Sequence, residues 1–374
     1  MPLAVTDVFA DLPDPRLDRN KLHRLTDILT IALCAVLCGA NTWEQIAAYG
    51  TAKRDWFAAF LALPNGIPSH DTFYRVFTAL DPKAFAERFG RWMAAACQAT
   101  GLVPIAIDGK SARRAKRNTA TGCLHLVGAW ATENRLTLGQ VAVADGSNEV
   151  AAIPELLRTL ELTGALVTID AAGCQKGIAA QIVAKEADYV LALKENQPAL
   201  HEQVTGHFVQ LFDGRGPVDK MRHHQEVETG HGRTETRDTY VAPAPQALVA
   251  TEVWAGLASL VMVMRHCVDH ATGQVSDEVR YFISSLPAKV KQLARAVRQH
   301  WGIENGLHWV LDVAFHEDRM RQRDRHGIEN LALLNRLAVS LLRQDKTVKA
   351  GVKCKRKAAG WDDKYLLHLL LHSQ

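Results

Sequence analysis

The sequence predicts a mixed α/β protein, a sheet open to helices on both faces and preceded by a helical segment. Three observations predict it. Residues 1 to about 98 carry apolar side chains at helical spacing, and from about residue 102 short apolar runs bounded by turns take over. Two of those runs end in an aspartate, Asp108 and Asp170. At 374 residues the chain is too long for one compact core, so two or three domains are expected.

In the first segment Leu25, Ile28, Leu29, Ala32 and Leu33 recur at helical spacing, and 43–49 and 85–96 suggest further helices. Ser69-His70-Asp71 ahead of 72–77 reads as a helix start with small polar residues able to cap it. After the Gly66-Ile67-Pro68 turn, that short helix is either plain scaffold or a DNA-reading element. The apolar stretch 28–40 falls well short of the ~20 residues that cross a bilayer. It also stands too far along, behind too many charges, for a signal peptide, so it reads as a buried helix and no membrane association is expected. Strands are expected at 103–108, 124–132, 136–144, 165–170 and 189–193, with helices at 149–160 and 176–185. Successive strands followed by alternating helix and strand make a mixed sheet. From about 205 to 290 short β-rich pieces, among them 239–241, 259–264 and 279–284, lie between polar and Gly/Pro turns and read as an insertion. A long helical tract resumes after Pro287 and runs through His300, Glu304, His308 and Asp312 to Leu342.

Net charge is +4, too mild to imply nucleic acid by itself. Its placement says more. Lys110, Arg113, Arg114, Lys116 and Arg117 fall within eight residues, and Arg319, Arg321, Arg323 and Arg325 alternate along a second segment. Lys353, Lys355, Arg356 and Lys357 crowd a third. Any one run reads as solvated surface; three, two of them beside candidate carboxylates, point to a polyanion. The seven cysteines form no CxxC pair, which fits reduced thiols in a cytoplasmic protein and argues against disulfides or a zinc site. No GxxxxGK[ST] loop occurs, so nucleoside-triphosphate hydrolysis is not indicated.

Asp108 and Asp170 each close a strand and are each followed within three residues by a glycine, Gly109 and Gly173, read here as room for a close ligand. Alone, an aspartate at a strand end is a turn or cap residue. Two on adjacent strands would repel, and a divalent cation between them removes the conflict. A third ligand is expected from a helix crossing the sheet. His300, Glu304, His308 and Asp312 share one helical stripe beside Ile303, Leu307, Val310 and Leu311. That stripe is either a solvent face or the floor of a metal cleft. Carboxylate-held Mg²⁺ ions suit phosphodiester chemistry.

The runs Ala106-Ile107-Asp108-Gly109-Lys110, His125-Leu126-Val127, Ser147-Asn148-Glu149-Val150 and Thr168-Ile169-Asp170-Ala171 follow one another along the chain. After them come Asn196-Gln197, His231-Gly232-Arg233 and His300-Trp301-Gly302-Ile303-Glu304-Asn305. This ordered series, reaching to about residue 343, resembles the bacterial insertion-sequence transposases of the H-repeat-associated group. The resemblance implies a ribonuclease-H-like fold with an Asp, Asp, Glu triad at Asp108, Asp170 and Glu304, holding two Mg²⁺ ions for which Mn²⁺ can substitute. Glu317 is the runner-up for the glutamate. Related transposases place a lysine or arginine about two turns beyond the glutamate that Glu304 matches; here Leu311 stands there, with Arg319 or Lys194 as substitutes.

On this reading the domains are a helical 1–98, a candidate for DNA binding; a catalytic 99–345 with its insertion at about 205–290, ahead of the last catalytic helix; and a basic, helical tail at 346–374. Lys110, Arg113, Arg114, Lys116, Arg117, Lys194, Arg319 and Arg321 are expected to touch phosphates of double-stranded DNA. The roles of His125, Asn148, Glu149, Asn196, Gln197 and Arg233 stay open. The expected activity is strand cleavage and strand transfer at terminal inverted repeats, by a homodimer when two DNA ends are held together. The rivals are a catalytically inactive DNA-binding relic and a stand-alone nuclease.

Overall fold

The computed structural model of the chain describes residues 9–97, 104–116, 123–215, 220–249, 253–320 and 322–371. The chain divides into two compact units: Met1–Thr100, Gly109–Asn148 and Ile303–Gln374 make the first, Gly101–Asp108 and Glu149–Gly302 the second. Strand β1 (Pro104–Lys116) contributes its later residues to the first unit and its opening residues to the second.

The first unit is organised around two helices that are buried nearly all round, the first apolar and the second with buried polar residues such as Asn330 and Arg336. In Leu25–Leu37 every residue from Asp27 onward is buried, as the stretch 28–40 predicts, and Arg325–Gln344 is buried from Gly327 through Leu342 apart from Glu329. A helix as apolar as Leu25–Leu37 must be covered on all sides. Thr42 and Ser69 cap Trp43–Ala52 and His70–Ala79, their hydroxyls accepting from the N–H groups of Gln45 and Thr72, each at 3.3 Å. At the other end of His70–Ala79, the buried Asn330 amide donates to the carbonyls of Phe77 and Leu80 at 2.8 and 3.0 Å. Those are carbonyls that a helix end leaves without an internal partner. Strands β2 (Cys123–Ala131) and β3 (Leu136–Ala142) pair antiparallel, in the order β3-β2-β1.

The third basic run is only partly a surface feature. Lys355 and Arg356 are 6% and 4% exposed. Arg356 donates to the Val36 carbonyl at 3.1 and 2.7 Å and to that of Ala40 at 3.2 Å, closing the end of Leu25–Leu37, and lies 3.9 Å above the Phe315 ring. Burial pushes its guanidinium down to about 10. Lys355 donates to the Leu342 carbonyl at 2.9 Å and pairs with Asp345 at 3.0 Å. Only Lys353 and Lys357 of that run are exposed.

In the second unit the opening of β1 runs parallel to β4 (Leu166–Ile169), which runs parallel to β5 (Asp188–Leu193). Ile105, Ala106 and Ile107 are all buried, as both faces of a covered parallel strand should be. Strands β6 (Arg222–Gly230), β7 (Arg233–Pro243), β8 (Ser259–Asp269) and β9 (Val275–Ser284) follow, in the order β1-β4-β5-β9-β8-β7-β6. The β-rich stretch is therefore an extension of the same sheet: β9 pairs antiparallel with β5 from Val190↔Ser284 to Leu193↔Tyr281. Its strands are longer than the three short runs read from sequence, because polar residues on an exposed face carry no apolar signal. Helix Pro198–Phe212 also reaches past residue 205, where strand texture is expected. His231-Gly232 proves to be a two-residue hairpin turn. Both residues have positive φ, 51° and 75°, between the paired Gly230 and Arg233.

Helix Val290–His300 covers one face through Leu293, Ala296 and Val297, at i, i+3 and i+4, against Leu166, Val190, Val241, Val261 and Phe282. Burying a leucine of this kind stabilises by about 1.5–3 kcal/mol. Across β7 and β8, Glu235 binds Arg265 at 2.9 Å and also contacts Arg237. The Arg265 hydrogen bond, with Arg237 adding its charge against the opposing effect of burial, holds the Glu235 carboxyl down at about 2. A depressed carboxyl stabilises the fold fully above its unfolded value, near 4.5, and that stability is lost as pH falls from there toward 2. Acid melts of the wild type should lose stability through this window, with a shallower acid limb in Glu235→Gln; identical limbs would assign the loss elsewhere. No helix among the described residues is long and apolar enough to cross a membrane.

Candidate metal centre

Strands β1 and β4 pair in register from Pro104↔Leu166 to Ile107↔Ile169, and one step further stand Asp108 and Asp170. Asp108 does not close its strand as expected, because β1 runs on to Lys116 beside β2. The two aspartates instead follow directly on the carboxyl end of the parallel β1–β4 pairing, where neighbouring strands lie about 4.8 Å apart. That is the edge where open α/β sheets bind ligands. Both are half-buried. Burial raises the Asp170 carboxyl above its ordinary range, and the negative charge of Glu149, which opens helix Glu149–Thr159, raises it further. The Gly173 N–H, 3.3 Å from Oδ1, and the more distant Lys194 ammonium act the other way. A carboxyl raised by burial and by a neighbouring acid suits a hard divalent cation, which would neutralise it.

The loop after β4 is held from several sides. Asn196 donates to the Ala171 carbonyl at 2.6 Å and Gln197 to that of Cys174 at 3.0 Å, which gives both residues a role in keeping Asp170 in place. Thr168, one strand residue from Ile169, hydrogen-bonds His300 Nδ1 at 3.0 Å. Gly173 is glycine for a different reason than the expected room for a ligand. A Cβ there would lie 2.3 Å from Ile169 Cγ2 and 3.1 Å from Ile153 Cδ1, so the apolar core beneath the loop excludes it. Gly173→Ala should destabilise by about 1–3 kcal/mol and disturb Asp170 with it. A thermal melt checks this, and an unchanged midpoint would show that the loop yields freely.

Within the first unit the expected long helix is interrupted. A single π-helical turn, Glu304–His308, precedes Trp309–Ala314, a 3₁₀ turn Glu317–Arg319 comes next, and Arg325–Gln344 starts afresh. Single π turns are frequent at functional sites. Glu304 is exposed on this turn, with its Oε2 3.7 Å from Nδ1 of the buried His308. Glu317, in contrast, is 1% exposed and bound at 3.0 Å to Arg336, itself 2% exposed. Lys110 lies with its ammonium 2.7 and 2.8 Å from the two oxygens of Asp312, two helical turns beyond Glu304 in sequence. A cation therefore does stand against this helix, supplied by β1. His125 Nδ1 hydrogen-bonds Ser111 at 2.8 Å. Arg113, Arg114 and Lys116 lie on β1, Lys194 and Arg319 are exposed, and Arg117 and Arg321 lie outside the described residues.

Residues 99–341 match the family model described as Transposase DDE domain, and residues 6–93 match the one described as DDE_Tnp_1-associated. The chain is 38% identical over 377 residues to "Putative transposase YncI" of Escherichia coli O157:H7, covering 98% of this chain and 94% of that one. It is 34% identical over 371 residues to "H repeat-associated putative transposase YhhI" of Escherichia coli strain K12, covering 97% and 96%. A Xanthobacter autotrophicus protein named only as an uncharacterized protein in the dhlA 3′ region is 47% identical over 282 residues, 75% of this chain and 94% of its own.

Proposed function

The chain belongs to the DDE transposase family, and on that premise we propose that it cuts DNA at the terminal inverted repeats of an insertion sequence and joins the freed ends to a target. The family implies a ribonuclease-H-like fold and the use of divalent metal. The observation that carries the reading is the parallel register of β1 and β4 up to Ile107↔Ile169, with Asp108 and Asp170 as the next residue on each chain segment. Asp108, Asp170 and Glu304 are proposed as the metal ligands, for Mg²⁺ or Mn²⁺, with two ions in the working site. When bound, the cations would activate water or a 3′-hydroxyl and steady the leaving oxygen. Asp170 would be kept aimed by the Asn196 and Gln197 contacts to its loop. Lys110, through Asp312, would hold the helix that follows Glu304 in place. Arg113, Arg114, Lys116, Arg117, Lys194, Arg319 and Arg321 are assigned to phosphates, which position DNA without reading its sequence. Two DNA ends must be held at once, so the working form is proposed to be a homodimer.

Labelled element ends incubated with the protein and Mg²⁺ or Mn²⁺ test the proposal. Nicked ends and joined products are expected, and neither forms with EDTA. Nicks without joined products would favour a stand-alone nuclease; end binding with no nicks would favour an inactive, DNA-binding descendant.

A further inference from the structure

In the first unit a groove of about 780 Å³ runs between the β2–β3 turn and the end of helix Arg325–Gln344, with Arg135, Arg343, Lys346 and Lys349 in its lining. The lining also carries two acids. Asp345 is taken up by Lys355 at 3.0 Å and by the Tyr365 hydroxyl at 2.8 Å, which leaves Glu133 against four cations. No local run in the sequence marks this cluster, because its members come from two segments, 133–135 and 342–355.

Two details distinguish the groove from an ordinary charged surface. Arg135 holds a left-handed backbone, φ 55°, a conformation that favours glycine or asparagine. Arg343 is half-buried within the influence of the Arg135 charge: burial first, then that like charge, press its guanidinium toward the neutral form. Its Nε is buried without an acceptor, and its Nη2 donates to the Gly306 carbonyl at 3.0 Å. Two guanidinium groups in this arrangement are relieved by an anion between them, and phosphate matches their planar donors. Gly306 lies in the π turn that carries Glu304, so one side chain links the groove to that turn.

We infer that this groove binds the sugar-phosphate backbone of duplex DNA, with a phosphate between Arg135 and Arg343 and the flanking backbone along Lys346 and Lys349. The inference rests on the reading of the chain as a DNA-processing protein and adds a contact surface to it. Phosphate contacts release counterions, so each should contribute about 0.9 to the slope of log affinity against log salt.

The test is fluorescence anisotropy of the full-length protein on a labelled duplex of about 30 base pairs, without divalent metal, from roughly 50 to 200 mM salt. Arg135→Ala/Lys346→Ala/Lys349→Ala leaves Arg343 to support the turn. Its slope should fall by about 2–3 and its affinity drop at least about tenfold at the upper salt concentrations, for any duplex sequence. Lys346→Arg/Lys349→Arg should keep the wild-type slope. If the triple variant melts early, Lys346→Gln/Lys349→Gln decides, by a slope lower by about 1–2 or unchanged. A folded variant with the wild-type slope overturns the groove alone; a wild type that binds no duplex overturns the groove and the proposed function together.

Discussion

Asp108→Ala, Asp170→Ala and Glu304→Ala are each expected to lower strand cleavage by at least about a thousandfold, equivalent to about 4 kcal/mol of barrier. Thermal midpoints and binding of uncut ends should stay near wild type. The reason is electrostatic. Asp108 and Asp170 each follow the last parallel pair of β1 and β4, and at Asp170 burial and Glu149 already disfavour negative charge. On the proposed function such side chains contribute by holding cations, so removing one would empty or misplace a site without taking apart the core. Combined substitutions should cost little more than single ones, because ligands of one centre fail as a unit. Cleavage is measured on labelled ends over a Mg²⁺ and Mn²⁺ titration. Near wild-type cutting by Glu304→Ala would require another third ligand, and activity in all three variants would end the metal mechanism.

Arg336→Met is expected to cost about 3–5 kcal/mol of stability, since it leaves the Glu317 carboxylate charged and buried with its partner gone. Glu317→Ala should be damaging for the mirror-image reason, stranding the Arg336 guanidinium. Glu317→Leu/Arg336→Met should recover much of the loss, because a buried pair replaced by well-packed apolar side chains is often neutral. Urea unfolding with and without metal separates this from chemistry. Glu317→Ala should lose activity in step with folded population, whereas Glu304→Ala should lose activity while folded. An Arg336→Met protein as stable as wild type would mean that the pair is solvated in solution and would reopen Glu317 as a ligand.

Much of the sheet was legible in the chain because its signals are local. β4, β5 and the opening of β1 are short apolar runs ended by polar or turn residues, whereas the rest of β1, as far as Lys116, is charged and was not legible as strand. Asp108 and Asp170 were legible for the same reason, as acids placed at the ends of such runs. The longer strands β6 to β9 were harder to read, since Arg222–Gly230 and much of Arg233–Pro243 carry charges that pair across the sheet and hide the period. Gly173 was visible, but the side chains that exclude a Cβ there, Ile153 and Ile169, come together only through packing.

By itself, then, the sequence determined the order of most elements, the two aspartates at the ends of apolar runs and a family resemblance carried by short motifs in series. Only the tertiary structure decided which charges are surface and which are interior. Lys355 and Arg356 read as half of a basic run, yet they are buried among carbonyls of Leu342, Val36 and Ala40 that are distant in sequence. Glu317 and Glu304 are alike as letters. One is locked to Arg336 and the other stands exposed on a π turn that interrupts an unbroken helical pattern. Local propensity sets which elements form. Whether a charge is solvated, paired or free to meet a ligand depends on what the rest of the chain brings against it, because the cost of burying a charge is set by its partners.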